Sequence, residues 1–128
     1  MDTSRNKTSL LIIEDDRGTA QALELKSRGV GLDPVVMSKG KEALDYLIEH
    51  GAKVVLLDML LNDISGLDLL EQLQGSDVLA DASIIAFTAS DDQKLKDRSL
   101  ELGASEFFYK PETGIDELFS SVLKHLAQ

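Results

Sequence analysis

The sequence contains no cysteine. That excludes a disulfide framework and any metal site built on thiolates. No stretch approaches the ~20 consecutive apolar residues of a membrane helix. Residues 1–8 are polar and lack the hydrophobic region of a secretory leader. Basic residues are also scarce: 13 Lys and Arg stand against 23 Asp and Glu, for a net charge of −10. Direct nucleic-acid binding needs a basic face, so this balance argues against it. The acidity suits a cation or a basic protein partner, although for most of these charges solubility is reason enough. No internal repeat or linker interrupts the chain. The expectation is a cytoplasmic protein without membrane contact, made of a polar tail (1–8) and one domain (9–128). A chain of 128 residues buries roughly two-thirds of its unfolded surface, enough for a real core.

What is present is an alternation of short apolar runs with helical patterns. Residues 10–13 (Leu-Leu-Ile-Ile) form the first predicted strand, 35–37 the second, 54–57 the third, 84–87 the fourth and 107–109 the fifth. Between them, 18–28 predicts a helix stopped by Gly29, and 41–50 an amphipathic helix closed by Gly51. A third helix carries Leu67, Leu69, Leu70 and Leu73, with Ser65 and Asp68 as its capping box. Ser90 and Gln93 form a second such box, opening a helix over 91–102 that Gly103 ends. Ile115, Leu118, Phe119, Val122 and Leu126 line a last helix. Strand–helix alternation demands parallel pairing and right-handed crossovers. The expected fold class is α/β: a (βα)5 three-layer sandwich whose five-stranded parallel sheet has the flavodoxin-like order 2-1-3-4-5.

A parallel sheet delivers the carboxyl ends of all its strands to one edge, where open α/β folds place their ligands. The residues there are Glu14-Asp15-Asp16 after the first strand, Asp58 after the third, Thr88 after the fourth and Lys110-Pro111 after the fifth. Any one of them has an ordinary explanation. An Asp after a strand starts turns, and Asp16 has the place of a helix cap. Together they make a constellation. Neighbouring carboxylates repel unless something neutralises them. A hard divalent cation takes oxygen ligands and leaves positions open for phosphate, and a lysine adds one more point charge. Glu14, Asp15, Asp58 and Lys110 therefore spell an incomplete Mg²⁺ (or Mn²⁺) site. Asp58 beside it is placed as a nucleophile able to form an aspartyl phosphate, with Thr88 and Lys110 donating to phosphoryl oxygens.

These segments resemble the receiver domain of bacterial two-component response regulators over nearly the whole chain. The resemblance rests on residues 11–16, on 55–61 with Ser65-Gly66, on 84–89 and on 103–111. It implies that Asp58 takes phosphate from a histidine kinase or phosphotransfer protein. Asp15 would bind the metal directly, Glu14 through water, and the Leu60 backbone carbonyl would complete the protein ligands. Thr88 would draw the following loop inward, Phe107 would be the aromatic that rotates with it, and the Lys110–Pro111 bond would be cis. Phosphorylation would switch the face made by the fourth helix, fifth strand and fifth helix for a downstream output protein or domain, or for a homodimer. The protein would be a switch rather than an enzyme, catalysing only its own phosphorylation and dephosphorylation.

The chain departs from the common pattern in places. Asn62 replaces a frequent proline, which implies a looser loop. Ser65 stands where Asp is commoner, and Phe107 lacks the hydroxyl of the usual Tyr. Leu60 and Ser90 flank the phosphate position. Both a stand-alone regulator and a module of a longer transcription factor or signalling enzyme fit. A flavodoxin-type carrier fits poorly, since the acidic triplet would repel a flavin phosphate. A phosphohydrolase lacks its second acid at Leu60.

Overall fold

The computed structural model describes residues 7–128. Most of the predicted tail therefore lies outside the described residues. Among the described residues, five strands alternate with five principal helices: β1 (Thr8–Ile13), α1 (Arg17–Gly29), β2 (Val35–Met37), α2 (Gly40–His50), β3 (Ala52–Leu57), α3 (Gly66–Leu73), β4 (Ser83–Thr88), α4 (Gln93–Glu101), β5 (Ala104–Tyr109) and α5 (Ile115–Leu126). All strand pairs are parallel and the order is β2-β1-β3-β4-β5, as expected. Among the described residues, no helix is long and apolar enough to cross a membrane.

The strand period of two divides the core. Leu11, Ile13, Val55, Leu57, Ile84 and Ala86 face one side, under α2 and α3, with Ala43, Leu47, Leu69, Leu70 and Leu73. Leu10, Ile12, Val54, Leu56, Ile85 and Phe87 face the other, under α1 and α5, with Leu23, Leu118, Phe119 and Val122. Runs that are apolar at every position are thus buried on both faces. At roughly 25 cal/mol per Å², each wholly buried Leu or Ile contributes about 1.5–3 kcal/mol.

Several element ends differ from the sequence expectation. Helix α1 runs through Gly29, and the left-handed position that follows is Gly31, at φ 87°. Helix α4 is capped by Asp92, whose carboxylate accepts the Lys94 N–H at 2.9 Å; the Ser90 hydroxyl instead accepts the Asp92 N–H at 3.2 Å. A one-turn helix, Val78–Asp81, precedes β4. No peptide bond among the described residues is cis. The expected cis bond at Lys110–Pro111 is therefore corrected to trans. Trans is the favoured isomer of an X–Pro bond, and Lys110–Glu112 form a 3₁₀ turn with Pro111 in its first positions, a place that proline suits.

Strand β5 begins three residues before the predicted start. A register shift opposite Ile84 and Ile85 places Glu106 against Ile85, on the α5 side. There its carboxylate accepts from the Ser121 hydroxyl and lies 2.7 Å from His125 Nε2. Those two donors, with Lys124 nearby, hold Glu106 below the usual carboxylate range against the opposing effect of burial.

Candidate functional site

The strand ends meet as expected. Ile13 pairs with Leu57, and the Asp58 N–H donates to the Ile13 carbonyl at 3.0 Å, so Glu14 and Asp58 leave the sheet side by side. Ligand atoms of Glu14, Asp15 and Asp58 all lie within 4.8 Å of one another. Glu14 is 2% exposed and Asp58 5%, while Asp15 is half-buried. Lys110, at the end of β5, places its ammonium 2.6 Å from Glu14 Oε1 and 3.3 Å from Asp58 Oδ2. The same Nζ sits 4.7 Å above the Phe87 ring. Thr88 is wholly buried at the end of β4, beside Tyr109 in register, and its hydroxyl accepts the Ser90 N–H at 3.4 Å.

Charge is not balanced here. Three carboxylates face one ammonium, leaving a formal surplus of two negative charges. The Glu14 pKa is raised to about 7. Burial is the main cause and the Asp58 carboxyl the second; Lys110 and the Asp16 amide oppose them. Burial alone would lower the Lys110 pKa, but Glu14 and Asp58 outweigh it and hold the pKa above the ordinary value. A partly buried anionic surplus of this size, made only of oxygen donors, matches what a hard divalent cation requires. Glu14, Asp15 and Asp58 are the residues that could hold one.

Two neighbours lie outside the carboxylate cluster. Asp16 caps α1, accepting from the Thr19 amide (2.9 Å) and hydroxyl (2.7 Å), which lower its pKa. Phe107 lies half-buried against the α2–α3 side of the core. The loop after Asp58 is tied down, not loose. The Leu60 N–H donates to Asp58 Oδ1 and the Asn62 N–H to Asp15 Oδ2, both at 2.9 Å. A proline at position 62 has no N–H to give. The sequence expectation missed Asp63, whose two carboxylate oxygens accept the Gly40 and Lys41 N–H groups at the start of α2, each at 2.9 Å. No local pattern announces a cap supplied from another loop.

Comparison with known proteins gives the family. The family model described as response regulator receiver domain matches residues 10–123. The uncharacterized transcriptional regulatory protein YkoG of Bacillus subtilis is 34% identical over 122 residues, covering 95% of this chain and 52% of that protein. The sensory transduction protein RegX3 of Mycolicibacterium smegmatis is 36% identical over 104 residues, covering 81% and 44%. The chain thus spans about half the length of these relatives. Among solved structures, a putative response regulator from Chloroflexus aurantiacus superposes with a TM-score of 0.83 at 30% identity, covering 95% of this chain and 99% of that one.

Proposed function

We propose, because the chain belongs to the response regulator receiver family of two-component signalling, that Asp58 is its phosphoacceptor. The observation that carries this is the meeting of Glu14, Asp15 and Asp58 within 4.8 Å, with the Lys110 ammonium 3.3 Å from Asp58 Oδ2. The donor is a phosphohistidine on a histidine kinase or phosphotransfer protein. An Asp58 oxygen attacks its phosphorus, the P–O bond forms as the P–N bond breaks, and the imidazole leaves with the electron pair. Bound Mg²⁺ or Mn²⁺ would neutralise the crowded oxygens of donor and acceptor. Glu14, Asp15, Asp58 and the Leu60 carbonyl would hold that ion. Lys110 stabilises charge on the incoming group, as a pre-placed cation does.

Phosphorylation takes Asp58 from a charge of about −1 toward −2 and adds acceptor oxygens. Lys110 and the Thr88 hydroxyl then gain partners they have in no other state, and Thr88 exchanges its contact with the Ser90 amide for one to the phosphoryl group. Interactions confined to one state bias a two-state equilibrium, typically by ~1–3 kcal/mol. Phe107 and the α4–β5–α5 face carry that bias to an output protein or an adjoining domain, or to a second copy of the chain. The test is labelling by acetyl phosphate. Wild-type protein is expected to take up one phosphoryl group in a Mg²⁺-dependent way, and Asp58→Asn to keep the fold and take up none. Normal labelling of the variant would overturn the assignment.

A further inference from the structure

The loop between β3 and α3 straddles the start of α2. Leu61 and Ile64 sit against Gly40 so closely that a Cβ added there would meet Ile64 Cγ1 at 2.7 Å and Leu61 Cδ1 at 3.1 Å. Between them Asp63 uses both carboxylate oxygens on the Gly40 and Lys41 N–H groups. Lys39, in the N-cap position of α2, makes no side-chain cap bond, so Asp63 takes over a task that a neighbouring residue usually performs. The amide donors hold the Asp63 carboxyl at about pKa 2, so the clamp is charged throughout the physiological range. One residue earlier, the Asn62 N–H donates to Asp15 Oδ2. At its far end the loop is closed by the Gly66 N–H on the Met59 carbonyl at 3.0 Å, with no space for a Cβ against Met59 Cα.

We infer that Asp63 is a positioning residue for the cation site. By fastening the loop to α2 it holds the Asn62 amide against Asp15, and so fixes the carboxylate of Asp15 and the stretch that carries the Leu60 carbonyl. Asp63 itself touches no reacting atom. The inference rests on the proposed Mg²⁺ site but not on the identity of the phosphoacceptor. Groups that orient metal ligands commonly matter by about 10- to 100-fold in affinity. Asp63 acts one step further out, so about tenfold or a little less is expected for Asp63→Ala.

The experiment measures two things on the full chain. Amide hydrogen exchange without metal follows Gly40, Lys41 and Asn62, and calorimetric titration gives the Mg²⁺ dissociation constant. Asp63→Ala is expected to speed exchange at all three amides and to weaken Mg²⁺ binding about tenfold. Asp63→Asn, which keeps one acceptor oxygen, should recover much of both and serves as the test if the alanine variant does not fold. Faster exchange at Gly40 and Lys41 alone, with Asn62 protection and Mg²⁺ affinity unchanged, would reduce Asp63 to a helix cap and overturn the inference. Absence of acetyl phosphate labelling in the wild type would sink the phosphoacceptor assignment while leaving these two readouts to decide on Asp63.

Discussion

The loops that follow Asp58 and Thr88 leave adjacent strands on one sheet edge, yet they are held in opposite ways. The first is fastened outward at two places, Asn62 on Asp15 and Asp63 on α2, and closed on itself at Gly66. The second is tied mainly to itself: Ser90 N–H to Thr88, then Asp92 N–H to Ser90. The helices they lead into differ in the same sense. Helix α3 buries Leu69, Leu70 and Leu73, whereas in α4 only Ser99 is buried. A site that binds a cation needs ligands fixed in advance. A site that signals needs an element cheap to displace, and such elements come from the weakly held part of a fold. In the function proposed above, the two needs fall on neighbouring loops.

That comparison can be broken where the halves join, at Lys110. Removing the ammonium leaves Glu14 and Asp58 buried without it, a change that costs about 3 kcal/mol where a buried pair loses one member. Lys110→Ala should therefore lower the denaturation midpoint strongly without metal and recover part of the loss in Mg²⁺. An unchanged midpoint would show that the carboxylates do not depend on Lys110.

A pH series sharpens the fixed half. The folded pKa of Glu14, about 7, lies above its ordinary value of 4.5, so the folded state binds the extra proton. Its contribution is fully present below about pH 4.5 and is lost as pH rises through about 7, an effect on the order of 3 kcal/mol. Urea melts of metal-free protein should show stability falling across that window. Saturating Mg²⁺, which competes with the proton, should flatten the slope, and a slope of opposite sign would refute the account.

The smallest effects compare the loops directly. Gly66→Ala must push a methyl into Met59 Cα and should destabilise by about 1–2 kcal/mol. Asp91→Ala, exposed in the second loop, should stay within about 0.5 kcal/mol. Equal midpoints for the two variants would erase the distinction.

Much of this was legible in the sequence because it is local. Apolar runs gave the strands, and Glu14, Asp15, Asp58, Thr88 and Lys110 stood where those runs end. Asp16 and Ser65 capped the helices that follow them. The failures come from competition or distance. Ser90-x-x-Gln93 has the form of a capping box, but Asp92 is nearer the first free amides and takes the role. The turn at Val78–Asp81 is too short to show a period. The early start of β5 was hidden because Glu106 interrupts the apolar pattern, and its partners lie 15 and 19 residues away. Asp63 likewise caps a helix that begins 23 residues before it. Asn62 was read by its side chain, as a missing proline, whereas its backbone N–H is what acts.

The two outer strands carry a further consequence. A sheet that ends in open hydrogen-bonding groups invites another chain to add a strand and start a fibril. Strand β2 offers only three residues. Strand β5 has an irregular register and a carboxylate turned beneath α5, and a flat intruding strand matches neither. A sheet blunted at both borders gives an added strand little to pair with, so it is a poor template for its own copies.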